Sequence, residues 1–190
     1  PGLEYWVVLT HAWRPREGVI EAEKRDHVPY RDWSRAGFLT LCPGDIVDYS
    51  MVEAAIDEAA CLYDLQVLGL DPAMSWTLSQ RLMTATPQRK AIEVVEIPQT
   101  MMGLSPGTKR VEELLRKHEM LHEHNTCARW NFGNVRCAVD GNENLKPMKN
   151  RSIGRIDMTV AWVIAMAAAM LKMPTGPSIN DRVRDGDWGL

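Results

Sequence analysis

The 190-residue chain has no CxxC pair, no signal-peptide pattern and no apolar run long enough to cross a bilayer. Each absence narrows what it can do. Its four cysteines, Cys42, Cys61, Cys127 and Cys137, form no Cys/His cluster at zinc spacing, so a reduced, cytosolic protein is the simplest reading. The most apolar stretch, residues 158–171, is shorter than the roughly 20 residues of a spanning helix and predicts a buried core helix instead. A GxxxxGK[ST] phosphate loop and a Ser-His-Asp arrangement are both missing, which argues against P-loop nucleotide hydrolysis and triad-type acyl transfer. No internal repeat or low-complexity segment occurs. The chain opens on Pro-Gly without an initiator methionine, and reads as a piece of something longer.

What is present suits one globular domain. Hydrophobic residues make up 45% of the chain, ordinary for a folded protein. The formal net charge of -3 does not suggest a nucleic-acid binder, but its distribution is uneven. Residues 109–155 hold 10 Lys/Arg against 6 Asp/Glu, a local +4, and leave 12 basic and 19 acidic residues elsewhere, or -7. A basic segment in an acidic body can follow a phosphate backbone. Solvated surface helices account for the same charges.

The hydrophobic patterning alternates strand and helix. Residues 5–10 (YWVVLT) read as a strand, and 21–36, with Pro29 inside, as short helical pieces. Residues 38–41 read as a short strand. Ser50 with Glu53 matches a capping box, opening a helix with Val52, Ala55, Ile56, Ala59 and Leu62 on one face. Residues 66–70 (QVLGL) read as a buried strand ended by Asp71-Pro72. Residues 74–85 predict a helix and 92–97 a strand. Ser105-Pro106 reads as an N-cap with proline at the first helical position, with Val111, Leu114, Leu115 and Leu121 as the buried stripe that follows. Residues 135–139 and 144–148 predict a hairpin around Asp140-Gly141. Residues 156–171 predict a central helix, and 174–190 a polar tail. This order favours an α/β layered fold with parallel pairs and antiparallel additions.

Two acids stand out. Asp71 falls at the carboxyl end of the QVLGL strand, where sites form in open α/β sheets. A charge directly after a buried run is costly unless solvated, paired or metal-bound; a turn-opening or capping role fits it equally. Asp157 falls at the start of the last helix, where the macrodipole alone favours an acid. If the two converge, they suit Mg²⁺ or Mn²⁺, hard cations that prefer carboxylate oxygens. A two-ion site for phosphodiester hydrolysis generally needs at least three carboxylates, and only two are well placed. Lys146, Lys149, Arg151 and Arg155 precede Asp157 and could hold DNA phosphates, or form a solvated loop. His118 and His122 lie by an apolar stripe and read as boundary residues rather than ligands; His11 and His27 are isolated. Trp130 and Trp162 read as core.

Four stretches, in order, carry a family resemblance. They are residues 28–50 (VPYRDWSRAGFLTLCPGDIVDYS), LQVLGLDP around Asp71, residues 99–123 followed by HNTCARWNFGNV, and residues 140–170 (DGNENLKPMKNRSIGRIDMTVAWVIAMAAAM). Together they resemble the C-terminal nuclease part of bacteriophage terminase large subunits, the motor-nuclease proteins that package viral DNA. No single motif is specific; the ordered set is. The resemblance implies a ribonuclease-H-like mixed sheet flanked by helices and a Mg²⁺- or Mn²⁺-dependent endonuclease cutting concatemeric viral DNA. It also implies double-stranded DNA, portal protein and small terminase subunit as partners, in the host cytoplasm. By motif position Asp71 stands as the second metal ligand and Asp157 as the third. Lys149 stands for the lysine of a KP-x-K stretch. His122 and Asn125 stand in an H-x-x-N-P segment, with Thr126 replacing the proline. The family's first catalytic aspartate lies on a strand before the one that opens this chain, so Glu4 does not take that role. Residues 1–173 are expected to form the nuclease domain, lacking that strand and the ATPase domain. Two other roles stand beside it: a non-catalytic docking module for portal or DNA, and a resolvase or transposase of the same fold, which shares the acids but lacks the support of residues 140–170.

Overall fold

The computed structural model describes residues 5–73, 76–86 and 89–172. The tail expected over 174–190 lies outside the described residues. The last helix, α7 (Asp157–Lys172), organises the rest. Its apolar residues run around most of the circumference, so it is stable only when surrounded; Met158, Val160, Trp162, Val163, Ile164, Met166, Ala167 and Ala168 are all buried.

Among the described residues the strands form four two-stranded sheets. β1 (Trp6–Val8) pairs in parallel with β6 (Met120–His122). β2 (Trp13–Pro15) pairs in parallel with β3 (Thr40–Cys42). β4 (Leu68–Leu70) pairs in parallel with β5 (Val94–Glu96). β7 (Cys137–Val139) and β8 (Leu145–Pro147) form an antiparallel hairpin. The expected mixture of parallel pairs and an antiparallel addition is therefore present. β2, which the sequence did not signal because Pro15 ends it, sits on an edge where proline is tolerated.

The described residues form six further helices: α1 (Val19–Asp26), α2 (Tyr30–Arg35), α3 (Tyr49–Leu62), α4 (Trp76–Leu82), α5 (Met101–Arg116) and α6 (Thr126–Asn134). Pro29 separates α1 from α2, as its missing N–H requires. Two expected caps are corrected. The cap of α3 is Asp48, not Ser50: the Asp48 carboxylate accepts from the Ser50 N–H at 2.9 Å and the Ser50 hydroxyl at 2.7 Å. Glu53 is drawn away to Arg81 at 3.1 Å. The cap of α5 is Thr100, whose hydroxyl accepts from the Gly103 N–H at 3.1 Å. Pro106 thus lies inside α5 and removes one rung of its ladder. Ser105 instead accepts from the Leu145 N–H at 3.0 Å, tying α5 to the hairpin. Leu121 belongs to β6 rather than to the α5 stripe, and is exposed. The hairpin loop is longer than a two-residue turn: Asp140 Oδ1 accepts from both Asn142 and Asn144 N–H at 2.9 Å.

Close approach to α7 depends on glycine at two points. A Cβ on Gly107 of α5 would lie 2.3 Å from the Val163 carbonyl oxygen. A Cβ on Gly69 of β4 would lie 2.9 Å from Ala168 Cβ, Ile164 Cγ2 and the Ile164 carbonyl oxygen. On the far side, Arg89 is a buried cation that clamps α4 to α3. It donates to the carbonyls of Leu82 at 2.7 Å and Arg81 at 3.1 Å, and also bonds Asp57.

The Gly107 packing yields a paired prediction. Gly107→Ala should destabilise by about 1–3 kcal/mol through overpacking, read as a lower denaturant midpoint. Gly133→Ala in α6, where an added Cβ meets nothing within 4 Å, should be neutral or stabilising by up to about 1 kcal/mol. Equal effects at the two positions would mean that the α5–α7 backbone approach does not constrain the fold.

Candidate active site

Asp71 follows β4 directly, and its partner Gln99 follows the paired strand β5. The two strands run in parallel, with Leu70 opposite Glu96, so both segments leave the sheet at the same end. Asp71 Oδ1 accepts from the Ala73 N–H at 3.1 Å, and Oδ2 accepts from the Gln99 side-chain amide. The Gln99 carbonyl in turn accepts from Lys146 Nζ at 2.6 Å. No charge or spacing marks Gln99 in the sequence, and only the strand pairing exposes it.

Asp157 is the first residue of α7. Its carboxylate pairs with Lys149 Nζ at 2.8 Å, with side chains 61% and 59% exposed. The structure therefore attaches each acid to the same stretch of chain: Lys146 reaches Asp71 through Gln99, and Lys149 reaches Asp157 directly. Helix α7 packs across β4, with Gly69 against Ile164 and Ala168 in the middle and later turns of the helix. Among the described residues, no three His, Cys, Asp or Glu side chains are grouped so as to hold a metal ion.

Beside Asp157 lies a cavity of about 420 Å³ whose walls include Arg14, Trp13, Tyr30, Trp130 and Arg155. The Arg14 guanidinium stacks 4.3 Å over the Tyr30 ring, a contact favoured by the ring quadrupole. Tyr30 donates to Asp26 at 2.8 Å; its burial, and then that bond, push its hydroxyl pKa up. Cys127 also lines the cavity, but burial pushes its thiol up to about 11, so it stays protonated and unreactive. Arg14, Trp13 and Tyr30 come from β2 and α2, far from Asp157 in sequence, which is why spacing could not find them. Arg155 lines the same cavity. Arg151 is exposed in the turn after β8.

The histidines stay outside this arrangement. His122 is exposed and donates from Nδ1 to the Glu123 carbonyl at 2.9 Å. His118 follows α5 with a left-handed φ of 56°. Asn125 is structural. Its Oδ1 caps α6 at Ala128 N–H, 2.9 Å away, and its Nδ2 donates to the Thr10 carbonyl at 3.2 Å. Thr126 then occupies the first helical position, where proline is favoured; the helix starts there without it.

The layering is that of a mixed α/β domain, and a solved structure places it in the ribonuclease-H-like class. The crystal structure of the HK97 bacteriophage large terminase matches with a TM-score of 0.72 and 29% identity, over 82% of this chain and 32% of that one. Residues 5–172 match the family described as terminase large subunit, endonuclease domain, and the chain belongs to that family. The large terminase subunit of Enterobacteria phage HK97 is 30% identical over 164 residues, 86% of this chain and 32% of that protein. Protein YmfN of Escherichia coli (strain K12) is 27% identical over 173 residues, 88% of this chain and 37% of that protein. The chain thus spans about a third of the length of these relatives.

Asp26, which anchors Tyr30 in the cavity wall, carries a pH prediction. Its bond to the Arg25 guanidinium, then that to the Tyr30 hydroxyl, pulls the carboxyl from 3.8 down to about 2. A carboxyl lowered on folding stabilises the native state above its unfolded pKa, and that contribution fades as pH falls from about 4 toward 2. Asp26→Asn should therefore give a shallower loss of stability across that window, measured by urea unfolding at several pH values. Parallel acid limbs would rule Asp26 out as a contributor.

Proposed function

We propose that this chain supplies the DNA-cutting surface of a packaging terminase, with Asp71 and Asp157 as its carboxylate ligands for Mg²⁺ or Mn²⁺. The observation that carries the reading is the single lysine-bearing segment that reaches both acids, in a chain of the terminase endonuclease-domain family. The donor type fits a hard divalent cation, and the ammonium of Lys149 already sits beside Asp157 as a positive charge. In number, two carboxylates fall short of a two-ion cage. A divalent ion held by Asp71 and Asp157 would supply positive charge for phosphodiester hydrolysis.

The chain's own residues do the positioning. Gln99 orients Asp71 by its amide, and Lys146 fixes Gln99 from the hairpin. Lys149, Arg151 and Arg155, together with Lys146, offer cationic contacts to the backbone of double-stranded DNA next to the scissile bond. Concatemeric viral DNA in the host cytoplasm is the expected substrate, with portal and small terminase subunit as assembly partners. The absence of a three-carboxylate group among the described residues favours, as second reading, a docking module that holds DNA or portal without cutting.

Plasmid nicking in Mn²⁺ separates the two. The 190-residue chain is compared with a form lengthened at its N terminus by the residues that precede the matched region in the HK97 protein, and with Asp157→Ala in that longer form. The longer form should nick, and Asp157→Ala should fall to background. An inert longer form, or an Asp157→Ala that nicks like its parent, refutes the catalytic assignment.

The basic residues have an independent readout. Changing Lys149, Arg151 and Arg155 together to Ala should weaken DNA binding at all sequences. It should also reduce the slope of log K against log salt by up to about 3, roughly one for each phosphate no longer neutralised. An unchanged slope would make them ordinary surface.

A further inference from the structure

The cavity beside Asp157 holds two positive charges that no carboxylate takes up. Arg14 and Arg155 both line it. Among the described residues, neither guanidinium enters a salt bridge or donates a hydrogen bond. Arg14 Nε is buried without a partner. Arginine carries five N–H donors, and burying one unmet is costly unless a ligand meets it. The stacking of Arg14 over the Tyr30 ring steadies the plane of the guanidinium and uses none of those donors.

The acids nearby are engaged elsewhere. Asp157 is the one carboxylate among the described residues that line the cavity, and it pairs with Lys149 at 2.8 Å. Asp26 accepts from Arg25 Nε at 2.8 Å and from the Tyr30 hydroxyl at 2.8 Å. Burial pushes the Tyr30 hydroxyl pKa up, while Arg14 and Arg155 each pull it down, so both cations act on this one ring. Their backbones are fixed. Around Arg14, the Ala12 carbonyl accepts from the Thr40 N–H and the Cys42 carbonyl from the Arg16 N–H, both at 2.8 Å. The Arg155 carbonyl accepts from Asn134 Nδ2 at 3.1 Å. A Cβ on Gly154 would lie 2.7 Å from that same Asn134 nitrogen, so the turn before Arg155 is packed tightly.

Size and charge select the ligand. At about 420 Å³ the cavity falls in the range of roughly 300–1,000 Å³ typical of small-molecule sites. It has room for one nucleotide and none for a duplex. The planar fork of arginine binds phosphate oxygens in pairs, and two such forks suit a doubly charged group. An internal phosphodiester carries a single charge. Hydrolysis creates the second: water adds its oxygen to phosphorus, the P–O bond to one sugar breaks, and the released sugar oxygen takes a proton. The other sugar keeps a phosphate monoester with a charge of about -1.5 to -2.

We propose that this cavity seats the phosphate-bearing end of a cut DNA strand, with its terminal phosphate monoester between Arg14 and Arg155. The source of that phosphate rests on the DNA-cutting reading; the unpaired cations do not. Bound there, the new end stays beside Asp157 after the bond is broken, which makes the cavity a product site.

Binding of the 190-residue chain to a short DNA duplex with single-stranded ends is measured without a divalent ion, so this result and any failure of cleavage are read separately. The ends carry a 5′-phosphate, a 3′-phosphate or hydroxyls alone. One phosphate-bearing form should bind at least about tenfold more tightly than the hydroxyl form, and thymidine monophosphate should compete with it. Arg14→Gln should abolish the preference. Arg155→Gln, at an exposed position where little packing is lost, should do the same. Arg16→Gln, just past β2 and outside the cavity, should keep it. Equal binding of all three duplexes overturns the proposal, whether the cations then read only the backbone or hold only free thymidine monophosphate. A preference that survives both Arg14→Gln and Arg155→Gln overturns it as well.

Discussion

Burial of the large apolar side chains of α7 is the constraint on which the other interactions depend. A helix with Met158, Val160, Trp162, Val163, Ile164, Met166 and Ala168 distributed around its axis loses about 1.5–3 kcal/mol for each large apolar side chain left in water. The neighbours must therefore come close, and they do so at backbone level. Gly107 brings α5 against Val163, and Gly69 brings β4 against Ile164 and Ala168. Asp157 heads this helix and Asp71 ends the strand that lies on it. The positions of the two carboxylates are consequences of core packing, set by residues that carry no chemistry themselves.

The polar interactions divide by strength between scaffold and site. Arg89 is almost fully buried and bonds carbonyls at one end of α4 and carboxylates on α3. Removing a partner there would strand a buried charge, which is costly. The Lys149–Asp157 pair is more than half exposed at both ends, and such pairs contribute about 0–1 kcal/mol. A competing cation or phosphate can therefore separate them at little cost. Asp71 is held by a neutral amide and a backbone N–H, which leaves its charge uncompensated.

Local signals explain what could be read from the sequence. The apolar run 158–171, the Pro29 break, the QVLGL strand and the hairpin around Asp140 each depend on near neighbours, and each appears in the structure. The misplaced caps show the limit. Ser50 and Ser105 both had the right chemistry, but Asp48 offered a stronger acceptor two residues earlier and Leu145 drew Ser105 into a tertiary bond. At the candidate site the two acids and the basic run before Asp157 were visible, because charge next to an apolar run is conspicuous. Gln99, Arg14 and Tyr30 were not. Gln99 bonds Asp71, and Arg14 and Tyr30 line the cavity beside Asp157, only through strand pairing and helix packing between segments tens of residues apart.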